Sequence, residues 1–423
     1  MRLCLIASKP TDSVIYGFLP AAARLGLEVV LLTDQPEAHE QALAKSRQLP
    51  RPGCPRATTG HDSNGDSLVI RFRGCDVWDV RELIGTIAGL PAPHAIVSNS
   101  DHLQAQTALA AAYFDLPGKD WRSALRAKNK FLMRRRLAEV GTEHVVAAEI
   151  RPDAAQLPGG LRYPAVLKPA EGVASEDVML VLGPEELAER SAEIFTRRPG
   201  ETLLAEEYLS GQLRTLETLS DGKTTWVLGG FRTTLSPLPF FMEERLTWDI
   251  PPEEPREHVL GALGALGTTF GASHTEYVDG DRGPTLIEVN DRLIGDHCDF
   301  VLTDLLDTDL FELVLRVHLG ESLPAEPLWP WGGTGHAVID YVIADRPGVL
   351  TEVPKSGPRE VAEPDVLLSY QTLRQAGDRI AITHTNRDYL GVISAIGADT
   401  SAVERAVSAA RATESWLIAG SPS

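Results

Sequence analysis

The sequence predicts a protein of mixed α/β and α+β class that is built from several subdomains. Its 423 residues are too many for one simple hydrophobic core and suit two to four subdomains. The first residues follow a strand, helix and strand pattern, whereas later segments contain β-prone runs joined by turn-forming residues. These observations indicate an α/β domain at the N-terminus followed by subdomains that contain hairpins.

Composition and charge exclude several classes of protein. The chain is 43% hydrophobic and 23% charged, as is ordinary for a globular protein, and it carries a net charge of -19. That charge argues against sequence-independent binding to nucleic acid, which requires a basic face. The four cysteines show no Cys-x-x-Cys pair, and no apolar run approaches the ~18 residues of a membrane span. We therefore expect a cytoplasmic protein without nucleic-acid or membrane partners.

The N-terminal residues predict a β-α-β unit. Leu3 to Ile6 and Glu28 to Thr33 are strand-like, and an apolar helix is expected around residues 21–25. Because the first turn lacks Gly-x-Gly-x-x-Gly, the dinucleotide fingerprint is absent and the unit is interpreted as scaffold. Residues 50–66 are rich in Pro, Gly, Asn and Ser and predict a surface loop.

Polar residues follow a further predicted strand at residues 94–98. Ser98, Ser100 and Asp101 lie at its carboxyl end, where α/β sheets bind ligands, and a helix is predicted over residues 103–114. These side chains are candidates for substrate contact. The alternative is that Asp101 only caps the helix.

A single helix is predicted over residues 123–140. Its basic residues are Lys128, Lys130, Arg134, Arg135 and Arg136. A run of charges of this kind usually forms a solvated face.

An apolar strand at residues 163–169 contains Lys168 and is followed by a loop of small residues and a second strand at 178–182. A lysine on a strand can direct a point charge at a phosphate, and a flexible loop between two strands can cover it. Residues 203–209 predict an edge-like strand whose backbone and carboxylates could meet a base and a ribose.

The segment from Asp221 to Thr224 resembles the end of a P-loop. The glycine that this motif requires upstream is replaced by Glu217, so a hairpin turn is predicted instead. Helices are further predicted over residues 258–272, over residues 304–319 and near residues 401–412.

Two carboxylates, an amide and an arginine belong to a predicted hairpin. Its β-prone runs flank turn-forming residues at 279–284. Because alternate residues of a strand share a face, Glu288, Asn290 and Arg292 point one way, and the hairpin places Glu276 beside Glu288. Such oxygens suit Mg²⁺, and an arginine can hold an anionic oxygen through two hydrogen bonds. The pattern predicts a Mg-nucleotide site, and an exposed acidic hairpin is the alternative.

Taken in order, these elements resemble the ATP-grasp superfamily, specifically its carboxylate-amine ligase branch. That branch includes bacterial L-amino-acid (dipeptide) ligases and ligases of siderophore and antibiotic assembly. The resemblance covers nearly the whole chain and implies an ATP-grasp fold with an N-terminal Rossmann-like α/β domain and a small C-terminal domain. The implied boundaries are 1–115 for the Rossmann-like domain, 116–195 and 196–334 for the two ATP-grasp subdomains, and 335–423 for the C-terminal domain.

The family's functional residues map onto matching positions of this sequence. The family's helix lysine matches Lys130, its strand lysine followed by proline matches Lys168, and its glycine-rich phosphate loop matches residues 171–178. The implied nucleotide-binding residues are Lys130, Lys168, Ser175, Glu206, Glu207, Tyr208, Leu209 and Glu217. The implied metal ligands are Glu276, Glu288 and Asn290. The implied substrate contacts are Glu243, His274, Arg292, Gly295, Asp296 and His297. The implied catalytic residues are Arg292 and Lys168.

Some positions depart from the family's pattern or carry two interpretations. The phosphate loop has Glu176-Asp177 where relatives often have Arg-Gly. Leu213 stands where many members carry a ribose-binding glutamate, so Glu207 or Glu217 is expected to serve. His274 either touches the substrate or is a structural side chain with satisfied partners.

The resemblance implies that a carboxylate attacks the γ-phosphate of ATP and that an amine then displaces phosphate from the acyl phosphate to form an amide. The expected cofactors are ATP and Mg²⁺, with Mn²⁺ as the alternative ion, and the expected partners are a small-molecule carboxylate and amine. Dipeptide, siderophore or peptide-antibiotic biosynthesis is the expected setting. A carboxylase, a phosphotransferase and a nonenzymatic nucleotide-binding protein are the alternatives. Homodimers are common in the superfamily, and the sequence leaves the oligomeric state open.

Overall fold

The computed structural model describes residues 1–46, 69–153, 159–327, 329, 335–413 and 416–420. The surface loop predicted at residues 50–66 lies outside the described residues. Among the described residues, the helices fall short of the length and apolarity that a membrane crossing requires.

The N-terminal domain is a parallel sheet with a hydrophobic core on each face. Its elements are β1 (Arg2–Ile6), α1 (Leu19–Arg24), β2 (Glu28–Thr33), α2 (Pro36–Ser46), β3 (Ile70–Gly74), α3 (Val80–Ala88), β4 (Ala95–Val97) and α4 (Gln104–Tyr113). The strands lie in the order β3-β2-β1-β4, so the predicted β-α-β unit is confirmed. Leu3 and Leu5 pack into one core, whereas Cys4 and Ile6 pack into the other. This alternation explains why β1 is almost uniformly apolar.

Two helices replace the single helix predicted over residues 123–140. They are α5 (Trp121–Lys128) and α6 (Lys130–Glu139). Asn129 between them has φ -97° and ψ 106°, and its side chain accepts a hydrogen bond from the backbone N–H of Leu132 at 3.0 Å. The prediction was wrong because this amide side chain caps a new helix in competition with helix continuation. The predicted solvated face was also wrong, since Lys130 and Arg134 are only 4% and 5% exposed.

A small antiparallel sheet follows. Its strands and helix are β5 (Ala147–Ile150), β6 (Ala165–Pro169), β7 (Met179–Val181), α7 (Pro184–Arg197) and β8 (Leu203–Glu207). The order is β5-β8-β6-β7, with β8 hydrogen-bonded on both sides. The prediction of an edge-like strand at residues 203–209 was therefore wrong, because β5 supplies a second partner that is distant in sequence.

A large antiparallel sheet begins next. Its first strands and the helices that follow them are β9 (Gln212–Asp221), β10 (Thr225–Gly229), β11 (Phe231–Leu235), β12 (Glu243–Trp248), α8 (Glu253–Leu266), β13 (Phe270–Gly280), β14 (Gly283–Asn290), α9 (Cys298–Leu305) and α10 (Leu310–His318). The predicted hairpin turn at residues 221–224 is confirmed by the pairing of β9 with β10.

The two helices predicted in this region were misplaced. The one predicted over residues 258–272 is α8, which ends at Leu266. The next residue, Gly267, terminates the helix because it adopts a left-handed conformation with φ 86°. The one predicted over residues 304–319 is divided into α9 and α10. Asp309 starts α10 by accepting a hydrogen bond from the backbone N–H of Glu312 at 3.0 Å.

The remaining elements are β15 (His336–Ile343), β16 (Gly348–Glu352), β17 (Gly357–Arg359), β18 (Val366–Thr372), β19 (Arg379–Ile380), β20 (Tyr389–Gly397), α11 (Thr400–Thr413) and β21 (Leu417–Ala419). Of these, β15, β17, β18 and β20 extend the same sheet, whereas β16, β19 and β21 form a separate sheet in the order β19-β16-β21. The large sheet runs β14-β13-β9-β11-β12-β15-β20-β18-β17, with β10 attached to β9. The helix predicted near residues 401–412 is confirmed as α11, which packs its apolar side on β15, β18 and β20.

Candidate functional site

A cavity of about 560 Å³ is lined by the N-terminal domain, the small sheet and the large sheet. It collects most of the residues that the sequence placed in a functional site. Those that line it are Lys130, Lys168, Ser175, Glu206, Glu207, Tyr208, Leu209, Glu243, His274, Glu276, Glu288, Asn290, Arg292, Gly295, Asp296 and His297. Glu217 and Ser98 were also predicted to lie in the site, and neither of them lines the cavity.

The hairpin of β13 and β14 presents its oxygen ligands on one face. Glu276 lies directly opposite Glu288, and His274 lies opposite Asn290. A β-bulge separates these pairs from the pair of Tyr277 and Leu286. Because of this bulge, Glu288 on β14 faces the cavity while Leu286, two residues earlier, packs in the core. The predicted pairing of the two carboxylates is therefore confirmed.

This donor set suits a hard divalent ion. Within the described residues, no group of three or more His, Cys, Asp and Glu side chains forms a metal cage. Two carboxylates and the Asn290 amide are too few ligands for a closed calcium site, but they suit Mg²⁺, which keeps water and phosphate oxygens as its other ligands.

His274 stands between carboxylates. Its Nδ1 is 2.7 Å from Glu217 Oε1, and its Nε2 is 3.5 Å from Glu276 Oε1. Burial alone would lower the pKa of His274, but the two carboxylates outweigh burial and raise it to about 10. The imidazole is therefore a cation at neutral pH, and both ring nitrogens have partners, as expected of the structural interpretation. Glu217, which was predicted to contact the nucleotide, does not line the cavity; its carboxylate is paired with His274.

Two lysines enter the cavity from different elements. Lys130, at the start of α6, lies 3.0 Å from Glu288 Oε1 and donates to the backbone oxygen of Gly172 at 3.0 Å. Lys168, on β6, lies 2.5 Å from Glu206 Oε1. Burial lowers the pKa of Lys168, and the Glu206 carboxylate acts in the opposite direction. Both ammonium groups are thus held beside carboxylates and directed at one space.

Arg134 is paired with Glu206, the same carboxylate that pairs with Lys168. Its burial differs from the solvated position that the sequence predicted. Its Nε donates to Glu206 Oε2 at 2.7 Å, and its NH1 donates to Glu143 Oε2 at 3.3 Å. Burial would raise the pKa of Glu206, but the two cations lower it to about 2. The spacing of four between Lys130 and Arg134 on one helix face was the available sequence signal.

The segment after β8 forms another wall. Glu207 accepts from the backbone N–H of Val146 at 3.0 Å, and the backbone N–H of Tyr208 donates to Pro164 at 3.0 Å. Tyr208 and Leu209 are half-buried at the cavity surface. Glu207, Tyr208 and Leu209 thus form one stretch of the cavity wall.

The loop before β7 turns its unusual acidic pair away from the lysines. Glu176 is paired with Arg198 and Arg387, and Asp177 is paired with Arg197 and Arg198. Ser175 lines the cavity and donates to the backbone oxygen of Phe241 at 2.9 Å. The departure from the family's Arg-Gly therefore does not place two negative charges opposite a phosphate.

The loop after β14 forms the opposite end of the cavity. Arg292 donates to the backbone oxygen of Leu293 at 2.7 Å, and Asp296 and His297 adopt left-handed φ values of 52° and 68°. His297 Nε2 is 3.4 Å from Asp12 Oδ2. Glu243 faces this end, and its burial together with the charge of Glu276 raises its pKa to about 8.

The N-terminal domain contributes more than scaffold. Asp12 and Ser13, at the start of the helical segment Ser13–Phe18 that follows β1, line the cavity together with Ser100 and Asp101. Asp101 forms an ion pair with Lys128 and does not cap the following helix. Ser98 lies outside the cavity lining and donates to the backbone oxygen of Ile6 at 2.8 Å.

The ion pairs of Glu206 generate a prediction about stability. Glu206→Gln should lower the free energy of unfolding by about 3–5 kcal/mol at pH 7, since Arg134 and Lys168 lose a buried partner. Because the pKa of Glu206 is lowered to about 2, its contribution is present above pH 4.5 and is lost as the pH falls toward 2. Urea unfolding between pH 3 and 7 measures this difference.

The control is Glu193→Gln, which removes an exposed ion pair with Arg190 and should change little. A difference between wild type and Glu206→Gln that stays constant down to pH 3 would contradict the prediction.

Comparisons with known proteins agree with this architecture. No protein-family model matches the chain. The uncharacterized protein y4rH of Sinorhizobium fredii is 26% identical over 434 residues, which cover 99% of this chain and 84% of the relative. The L-amino acid ligase of Bacillus licheniformis has a similar structure, with a TM-score of 0.76, 20% identity and 99% coverage of both chains.

Two further solved structures are similar over nearly their full length. Phosphoribosylglycinamide synthetase of Anaerococcus prevotii gives a TM-score of 0.69 at 14% identity, with 99% of both chains covered. The biotin carboxylase domain of the Hydrogenobacter thermophilus 2-oxoglutarate carboxylase, solved with MgADP and bicarbonate, gives 0.64 at 14% identity and covers 99% of this chain and 90% of that one. Together with the N-terminal parallel sheet, these similarities show that the chain has the ATP-grasp fold.

Proposed function

We propose that this protein is an ATP-dependent carboxylate-amine ligase. It forms an amide bond through an acyl phosphate and releases ADP and phosphate. The observation that carries the proposal is the single cavity in which two lysines, two carboxylates with an amide, and one arginine face each other. The similarity to an L-amino acid ligase over 99% of both chains favours this reaction.

The residues of the cavity suit a triphosphate with its metal. Lys130 and Lys168 approach from α6 and β6 and supply positive charge for the phosphates. Glu276, Glu288 and Asn290 would hold Mg²⁺, which when bound neutralises charge on the phosphate oxygens. The stretch of cavity wall at Tyr208 and Leu209 receives the base.

The other end of the cavity suits the reacting groups. The planar guanidinium of Arg292 can hold a carboxylate through two hydrogen bonds and stabilise negative charge as the acyl phosphate forms. Glu243 and Asp296 line the same end and offer acceptors for an amine. Residues 171–178 cover the lysines and exclude water, which would otherwise hydrolyse the intermediate.

The size of the cavity limits the substrates to small molecules. A volume of about 560 Å³ lies within the range of ordinary ligand pockets. We infer a small carboxylate and a small amine, with amino acids as the first candidates. Formation of a dipeptide, or of an amide in siderophore or peptide-antibiotic assembly, fits this chemistry.

The metal assignment predicts the effect of Glu288→Gln. Two carboxylates facing a triphosphate would repel it without an intervening cation, so a weakened metal site should abolish turnover. Glu288 is only 3.0 Å from Lys130 but is partly solvated, so the fold should persist. Phosphate release at saturating Mg²⁺ and circular dichroism test the two statements. Retention of more than a small fraction of the wild-type rate would rule out this metal site.

The nucleotide assignment predicts the effect of Lys168→Met. Loss of a buried ammonium should weaken ATP binding by about 1.5–3 kcal/mol, the scale of hydrogen bonds to charged groups. Calorimetric titration measures the change, and Lys130→Met is the parallel test on α6. Arg135→Met is the matched control, because Arg135 lies on the same helix with its side chain 66% exposed. Equal affinities for the Lys168 and Arg135 variants would assign Lys168 to the scaffold.

The reaction itself predicts an oxygen transfer. In the presence of ATP, a carboxylate labelled with ¹⁸O should deliver one labelled oxygen to phosphate as amide forms, and each amide should be matched by one ADP. Arg292→Ala should reduce amide formation more than ATP affinity, because its guanidinium is assigned to the carboxylate. A screen of amino acids, hydroxy-carboxylates and diamines identifies the pair to use.

Other outcomes separate the alternatives. Amide formation without label transfer would refute the acyl phosphate. Turnover that requires bicarbonate would indicate a carboxylase, and a stable phosphorylated product without amine dependence would indicate a phosphotransferase. Absence of turnover with every carboxylate and amine would refute the ligase.

A further inference from the structure

A buried ion pair lies beside the site, at the end of β14. Lys119, in the segment between α4 and α5, is paired with Asp291 at 2.7 Å, and their side chains are only 8% and 2% exposed. Asp291 separates Asn290, a predicted metal ligand, from Arg292. Neither member of the pair lines the cavity.

Lys119 uses its whole hydrogen-bonding capacity at this point. Its ammonium donates to the carboxylate of Asp291, to the backbone oxygen of Asp291 and to the backbone oxygen of Ala272 at 3.0 Å. These three acceptors match the three hydrogens of an ammonium group. Lys119 therefore ties the end of β14 to the start of β13.

The backbone at Asp291 makes a tight turn. The backbone N–H of Arg292 donates to the backbone oxygen of Asn290 at 2.8 Å, which closes a three-residue turn centred on Asp291. Such a turn contains one hydrogen bond, so it does not fix its own geometry strongly. The contacts of Lys119 with both the side chain and the backbone of the central residue supply the missing constraint.

Buried residues pack closely around Lys119, and the Asp101 carboxylate also acts on its charge. Gly271 has φ 76°, and a Cβ there would lie 2.9 Å from Lys119 Cε, so a side chain at this position would displace the lysine. His318 is buried nearby, and burial followed by the charge of Lys119 lowers its pKa to about 3, which keeps it neutral. Asp291 Oδ2 is buried without a hydrogen-bond partner among the described residues.

The free energy of unfolding alone does not explain the buried pair of Lys119 and Asp291. Replacing a buried ion pair by apolar residues of similar size is often neutral or stabilising, so a gain in stability does not explain it. Conformational specificity is the remaining advantage, and here the specified element is the turn that carries Asn290 and Arg292. An error of about 1 Å in a reacting group can cost roughly a hundredfold in rate.

We propose that Lys119 and Asp291 are positioning residues that aim Arg292 into the cavity by fixing the turn centred on Asp291. This inference rests on the ligase function proposed above. It assigns to the pair an effect on the chemical step and not on nucleotide binding.

The test is the double variant Lys119→Met/Asp291→Leu, which removes both charges and keeps similar volume. Its rate constant for amide formation should fall roughly 10- to 100-fold, while affinity for a non-hydrolysable ATP analogue stays within about twofold. The matched control is Arg2→Met/Glu28→Leu, which removes a pair of 2.7 Å in the N-terminal domain away from the cavity. It should change neither quantity.

A double-mutant cycle with Arg292→Ala separates positioning from general destabilisation. If the pair acts through Arg292, its replacement should cost little further rate in the Arg292→Ala background. An equal fold-loss of rate in both backgrounds would overturn the proposal. So would a loss of ATP affinity as large as the loss of rate.

A crystal structure of the double variant decides the question without turnover. We expect the bond from Arg292 N–H to Asn290 to be lost and the guanidinium to move from its wild-type position. An unchanged Arg292 would refute the positioning role. If wild-type protein shows no ligation with any substrate, the proposed function fails, while this comparison still decides the role of Lys119.

Discussion

The guanidinium of Arg134 reaches from α6 to Glu206 on β8, and Glu206 in turn holds Lys168 on β6 at 2.5 Å. An unpaired charge in so buried a position would cost several kcal/mol, so each of these side chains fixes the place of the next. Glu143 extends the chain by accepting from Arg134 and from the backbone N–H of Leu286 on β14. Helix α6, the small sheet and the hairpin of β13 and β14 are thus tied together by charge pairing and hydrogen bonds, and the cavity lies between them.

Charge pairing also stabilises the part of the cavity that contains Glu276 and Glu288. Glu276 and Glu288 sit on opposed positions of two strands, where like charges repel. His274, charged at neutral pH, offsets the first carboxylate, and Lys130 at 3.0 Å offsets the second. The divalent ion that we propose would therefore bind where negative charge is already partly balanced. Asn290 adds an oxygen without adding charge.

Local patterns predicted the elements that local interactions determine. The hairpin of Glu276 and Glu288 follows from a two-residue period and turn chemistry, both visible in twenty residues of sequence. Arg134 was misjudged because its partners lie 9 and 72 residues away, beyond the span of a local helix pattern. The central position of β8 was missed for the same reason, since β5 pairs with it across more than fifty residues. Asn129 divided a predicted helix because one side-chain hydrogen bond outweighed a weak helix preference.

The loop of residues 171–178 shows how this chain differs from the glycine-rich pattern it resembles. Ala174, Ser175 and Asp177 all have φ between 54° and 58°, a conformation that costs a residue with a Cβ about 1–2 kcal/mol. Glycine would remove that cost. Here the ion pairs of Glu176 and Asp177 with arginines on α7 and beyond, and the hydrogen bond from Ser175 to Phe241, offset it. Glu176 and Asp177 thus stabilise the shape of the loop, and neither of them lines the cavity that Lys130 and Lys168 face.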